Sequence, residues 1–228
     1  MRTLVFSKNI NHYLLLMKDK YTPYLSHPWH GISVGSDSPA TVNAFIEMTP
    51  ADTVKYEIDK ESGFLKVDRP QKFSNIVPAL YGFIPQTYCA ENVAKICEEH
   101  SGINDLKGDG DPLDICVLTE RNIVQGYILL PAIPIGGFRM IDDGEADDKI
   151  IAILEGDEVY QEWKTLEDCP DSLINRLKHY FLTYKQMPGE SHHKKIEIAG
   201  IYGKDEAYEV IRGSINDYLT HYGSGKSL

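Results

Sequence analysis

Residues 107–120, KGDGDPLDICVLTE, place Asp109, Asp111 and Asp114 around one proline and run straight into an apolar segment. Carboxylates this close raise one another's pKa unless a cation neutralises them. An oxygen-only donor set selects hard cations, and Mg²⁺ favours a few carboxylates completed by water and substrate phosphate. In an extended loop Asp109 and Asp111 share a face, and a turn at Pro112 brings Asp114 round to join them. A second acidic stretch, DDGEADDK at 142–149, carries Asp142, Asp143, Glu145, Asp147 and Asp148 ahead of another apolar run. One acidic turn is commonplace on a solvated surface, whereas two that each abut a strand point to a shared site for several metal ions. Lys55, Arg69, Lys72, Tyr81, Lys149, Tyr184 and Lys185 could hold phosphate oxygens that the metals leave free. Taken singly, each has a plainer reading, with Lys55 and Lys72 as surface charges and Tyr81 and Tyr184 as core aromatics.

Three rival sites fail on spacing. An EF-hand loop starting at Asp109 would put Asp111 and Glu120 at plausible positions, but Leu113 stands at the fifth and Asp114 at the sixth, where glycine is required. The C-terminal GSGKS resembles the end of a phosphate-binding loop, yet Thr220 stands where its first glycine belongs and no helix follows. Cys89, Cys97 and His100 lie near one another without the spacing of a zinc site or an evident fourth ligand.

The elements that must position these groups follow from periodicity. NAFIEM (43–48), TVKYEID (53–59) and FLKVDR (64–69) alternate apolar and polar residues, with KESG as a hairpin turn between the last two. Further short strands are expected at 115–118, 127–135 and 148–154, and many short strands at modest spacing predict a small barrel. Leu173, Leu177, Tyr180, Phe181 and Tyr184 recur at helical spacing after Pro170, and Ala207, Val210, Ile211, Ile215 and Leu219 do so in the final helix. Residues 1–40, broken by Pro23, Pro28, Gly31, Gly35 and Pro39, read as a loosely packed arm, and 89–107 as a surface insertion with a short helix. The rest, 41–228, is expected to be a single domain.

Asp plus Glu outnumber Lys plus Arg by 34 to 23 in these 228 residues, giving a net charge of -11. Broad attraction to nucleic acid or anionic lipid is therefore not expected, and an anionic substrate needs metals to mediate its binding. No apolar run reaches membrane-spanning length. The four cysteines form no CxxC pair and are too sparse for a disulfide framework, which fits a reducing cytoplasm. Residues 1–20 lack a cleavage site, so a secretory leader is not expected.

With KYEIDKESG, VDRP, LYGFIP, GDGDPLDICVL, DDKIIAIL and HYFLTYK in this order over roughly residues 43–200, the chain resembles the soluble family I inorganic pyrophosphatases. The resemblance implies an α+β fold: a five-stranded, OB-like antiparallel β-barrel with two main C-terminal helices packed outside and the active site at its mouth. It implies Mg²⁺-dependent hydrolysis of pyrophosphate to two orthophosphates, in a homo-oligomer of two or six copies, with no nucleic-acid or membrane partner. Matched position by position, the metal ligands fall on Asp109, Asp114 and Asp147, with Asp142 and Asp111 in the cluster and Glu47 and Glu57 at its edge. Lys55, Arg69, Tyr81, Lys149, Tyr184 and Lys185 match the substrate-binding positions. Val77 departs from the pattern, since many bacterial members carry tyrosine ahead of the proline that is Pro78 here.

On this reading a metal-activated water attacks phosphorus directly, with Asp111 as proton acceptor and no covalent intermediate. Two rivals come from other classes. An OB-like module gripping single strands would need exposed aromatics in a basic groove, which this acidic composition opposes. A metal-dependent hydrolase of larger phosphoanhydrides is chemically closer and differs in substrate alone.

Overall fold

Many strand segments of this chain are apolar on both faces, and the computed structural model, which describes residues 26–185 and 195–223, shows what covers each face. The elements run β1 (Val42–Met48), β2 (Val54–Ile58), β3 (Leu65–Pro70), β4 (Leu80–Phe83), α1 (Glu91–Ser101), β5 (Lys107–Gly108), β6 (Asp114–Leu118), β7 (Ile128–Asp142), β8 (Glu145–Ala146), β9 (Lys149–Leu154), α2 (Asp171–Thr183), β10 (Ile196–Gly203) and α3 (Lys204–Tyr222). Eight strands form one sheet, and β2 with β3 forms a separate hairpin.

Pairings run from β1 through β4, β6 and β9 to β7, and β7 returns to β1, so the strands make a ring. Directions alternate around it except between β6 and β9, which are parallel. An odd number of strands cannot alternate all the way round, so a parallel pair is unavoidable. The sheet is therefore mixed, not wholly antiparallel as expected, and the short pair β5–β8 is parallel as well.

Side chains of a strand alternate between faces, and both faces are buried here. Ile115, Val117, Ile150 and Ala152 join one core cluster with Val93 and Cys97 of α1 and Val210 and Ile211 of α3. Cys116, Leu118, Ile151 and Ile153 join another with Leu177, Tyr180 and Phe181 of α2. Three helices cover the sheet, the two main ones expected and α1, which falls where a short helix was expected in 89–107. Residues 89–107 expose one side and pack the other into the core. Val93, Ala94 and Cys97 of α1 are buried, and the carboxylate of buried Asp217 accepts the N–H groups of Ala90, Asn92 and Val93 at its N-terminus. Of the expected arm, residues 26–40 are described, and Trp29 among them is 2% exposed and donates from Nε1 to the Thr87 carbonyl at 2.8 Å. The rest of the arm and the GSGKS tail lie outside the described residues.

Candidate active site

The register of the ring builds the site. Asp114 opens β6 and stands beside Phe83 of β4 and Lys149 of β9. Tyr81 of β4 reaches the same point, its hydroxyl donating to Asp114 Oδ2 at 2.6 Å. The Lys149 ammonium, 2% exposed, bonds both Asp114 and Asp147. Asp142 ends β7, and the turn at 143–144 that begins β8 returns Asp147 to its side. Asp148, in the two-residue link between β8 and β9, meets Tyr202 at 3.0 Å and Arg139 at 3.4 Å instead.

The 109–113 loop is tied down at both ends. Gly110 takes φ +73, open to glycine at little cost. The Gly110 N–H donates to the Cys89 carbonyl and the Cys89 N–H to that of Asp111, at 3.0 and 2.8 Å. The Asp111 N–H donates to Asp109 Oδ1 at 2.9 Å. From the other side, the Ile58 N–H donates to Glu47 Oε1 at 2.7 Å, fastening the β2–β3 hairpin to β1. Lys55 lies 3.1 Å from Glu57 and 3.0 Å from Asp68. Lys185, just past α2, bonds Asp142.

These groups enclose a cavity of about 470 Å³ whose walls include Glu47, Lys55, Glu57, Tyr81, Asp109, Asp111, Asp114, Asp142, Asp147, Lys149, Tyr184 and Lys185. Arg69 is not in the wall: its guanidinium bonds Asp68 and sits 5.9 Å from the Tyr184 ring centre. Lys72 also stands outside, donating to the Lys185 carbonyl at 3.4 Å. Val77 is fully buried in the core beside α2 and takes no place in the cavity. Lys60 and Lys66 line the cavity although the sequence reading passed over both. Lys60 had a signal, since it follows KYEID directly, but a lysine in a predicted turn reads as solvated.

Burial, with Asp147 adding, pushes the Asp109 carboxyl well above the carboxylate range. Burial also raises Asp147 against the pull of Lys149. Glu47 is pushed up to about 8, mainly by burial and further by Asp114. Burial alone would lower Lys149, but Asp114 and Asp147 outweigh it and hold the ammonium charged. Cations relieve carboxylates crowded in this way, and Lys149 pairs with Asp114 and Asp147 while Lys185 pairs with Asp142. Asp142 Oδ1 is buried with no hydrogen-bond partner, and the donors are all oxygen. Both facts fit hard divalent ions. With Lys149 between Asp114 and Asp147, no three His, Cys, Asp or Glu side chains among the described residues converge as a ready metal cage. Zinc at Cys89, Cys97 and His100 gains no support, since burial holds the Cys89 thiol well above its usual pKa and His100 faces Glu206 and Glu209.

A family model described as inorganic pyrophosphatase matches residues 44–219. The chain is 55% identical over 195 residues to an inorganic pyrophosphatase of Chlamydia muridarum, covering 84% of this chain and 93% of that one. It is 53% identical over 209 residues to an inorganic pyrophosphatase of Chlamydia caviae, covering 90% and 97%. Its fold matches the crystal structure of inorganic pyrophosphatase from Thermus thermophilus with a TM-score of 0.69 at 27% identity, over 85% of this chain and 99% of that one.

Proposed function

Because the chain belongs to the inorganic pyrophosphatase family, a hydrolase that splits pyrophosphate into two orthophosphates, we propose that the cavity described above is where it does so, with Mg²⁺. The observation that carries this reading is the convergence of Asp109, Asp111, Asp114, Asp142 and Asp147 with Lys55, Lys149, Lys185, Tyr81 and Tyr184 around one cavity. Asp109, Asp114 and Asp147, joined by Asp142 and Asp111, would hold the ions, with Glu57 and Glu47 at the edge. When bound, Mg²⁺ supplies charge neutralisation and a more acidic water.

The chain's own residues do the rest. Asp111 accepts the proton of the attacking water at its carboxylate. Lys55, Lys149 and Lys185 donate from ammonium groups, and Tyr81 and Tyr184 from phenols, to the phosphoryl oxygens, fixing the attacked phosphorus in line with the bridging oxygen that departs. Arg69 joins them by turning from Asp68 toward substrate. Water forms one P–O bond as the bridging bond breaks, and no side chain is phosphorylated.

The ring of strands is consistent with a five-stranded OB-like barrel, within a single domain over 41–228. Four buried free cysteines fit a reducing cytoplasm, and no helix among the described residues is long and apolar enough to cross a membrane. A homo-oligomer of two or six copies belongs to the same reading. Phosphate release from pyrophosphate and from ATP under Mg²⁺ tests the substrate. Pyrophosphate should be cleaved far faster, and equal rates would favour the broader phosphoanhydride reading.

A further inference from the structure

We propose that Lys60 is a further pyrophosphate-binding residue, held at the cavity mouth by Asp111 until substrate takes that carboxylate's place. The proposal rests on the reading of the cavity as a pyrophosphate site. Lys60 lies in the turn between β2 and β3 and lines the cavity. Its ammonium bonds the Asp111 carboxylate and donates to the Gly110 carbonyl at 3.2 Å. Lys149 and Lys185 are disposed the same way, each on a carboxylate of the cluster and each in the cavity wall. Lys60 extends the pattern to the β2–β3 turn.

The turn that carries Lys60 is fixed in place. The Ser62 N–H and hydroxyl both donate to Asp59 Oδ2, at 3.0 and 2.7 Å, and the Gly63 N–H donates to the Asp59 carbonyl at 2.7 Å. Gly63 has φ +74, and a Cβ there would stand 2.8 Å from Pro28 Cδ and 2.9 Å from the His27 ring. The turn therefore rests on residues 27–28, next to the Trp29 anchor. An ammonium on a backed turn loses less freedom on meeting an anion than one on a loose loop. Both Lys60 and Asp111 are about half exposed, with side-chain exposures of 52% and 50%, so their pairing is weak. A pyrophosphate oxygen, carrying more charge, is the better partner. Transfer of Lys60 to substrate leaves Asp111 free to face the attacking water.

Lys60→Ala and Lys60→Arg test this in three measurements: steady-state hydrolysis, calorimetric binding of methylenediphosphonate with Mg²⁺ present, and Mg²⁺ titration alone. A charge-assisted hydrogen bond to a half-exposed group corresponds to about tenfold in affinity. Lys60→Ala should raise KM and weaken the diphosphonate by about that factor, leaving Mg²⁺ affinity undiminished, and Lys60→Arg should recover most of the loss. Unchanged KM and diphosphonate affinity would overturn the proposal, reducing Lys60 to a counter-charge for Asp111. An equal loss of Mg²⁺ affinity would overturn it too, placing the effect in the metal site. A wild-type protein that neither cleaves pyrophosphate nor binds the diphosphonate would instead sink the underlying reading of the cavity.

Discussion

Asp111 sits half exposed at the cavity mouth, its backbone tied to Asp109 and Cys89 and its carboxylate against Lys60. It is fixed in position yet open to water, which is what a proton acceptor needs. Asp111→Asn keeps the shape and removes the basicity, so turnover should fall by about 100-fold or more, the scale of a positioned general base. Steady-state kinetics check this, and near-normal turnover would remove Asp111 from the role. The aspartates were legible in the sequence because like charges at short spacing next to apolar runs have few structural uses. Lys60 and Lys66 were not, since their inward placement depends on tertiary partners, Asp111 and Gly110 for Lys60 and Glu57 and Asp59 for Lys66. By residue type alone Asp147 and Asp148 look equivalent, and only the family resemblance singles out Asp147; in the fold one faces the cavity and the other meets Arg139.

Segment 26–31 shows why elements need more than periodicity. Proline and glycine made it read as a loose arm, but Trp29 is buried and His30 stacks on it at 4.3 Å while bonding the Tyr218 hydroxyl of α3 at 2.8 Å. Burial, with His27 adding, lowers the His30 pKa from 6.5 to about 4. The folded state then binds fewer protons than the unfolded state between those two values, so stability falls as pH drops from 6.5 toward about 4. Unfolding midpoints across that window should show a shallower acid-side decline for His30→Gln than for the wild type, and identical slopes would show that His30 does not drive it. Strands β4 and β10 escaped notice for a related reason. LYGF is too short to show a period, and β10 is mostly half-buried, so its pattern is faint. Although Leu219 near the end of the last is exposed, both final helices were legible, since their apolar stripes meet the core clusters. That places Tyr184 and Lys185 at the cavity, one turn beyond Phe181.

At the scale of the molecule, a net charge of -11 coexists with the proposed site for a dense anion. Carboxylates concentrated in one cavity would repel pyrophosphate unless cations came first, so charge makes metal binding a precondition for substrate binding. The ring of strands serves that end by bringing the starts of β6 and β9 and the end of β7 to one side, where Asp114, Asp147 and Asp142 meet. The alternating segments and apolar runs were enough to predict a small barrel-like sheet, but the parallel β6–β9 pair was not, because strand direction depends on closing the ring. The most direct test is phosphate release from pyrophosphate by the purified protein with Mg²⁺, with EDTA, and with Ca²⁺ in place of Mg²⁺. Rapid release that needs Mg²⁺ and falls away with EDTA or with the larger, differently coordinated Ca²⁺ is the predicted result. Release that persists in EDTA, or none from folded protein under Mg²⁺, would contradict the claim that these aspartates gather metal ions to hydrolyse pyrophosphate.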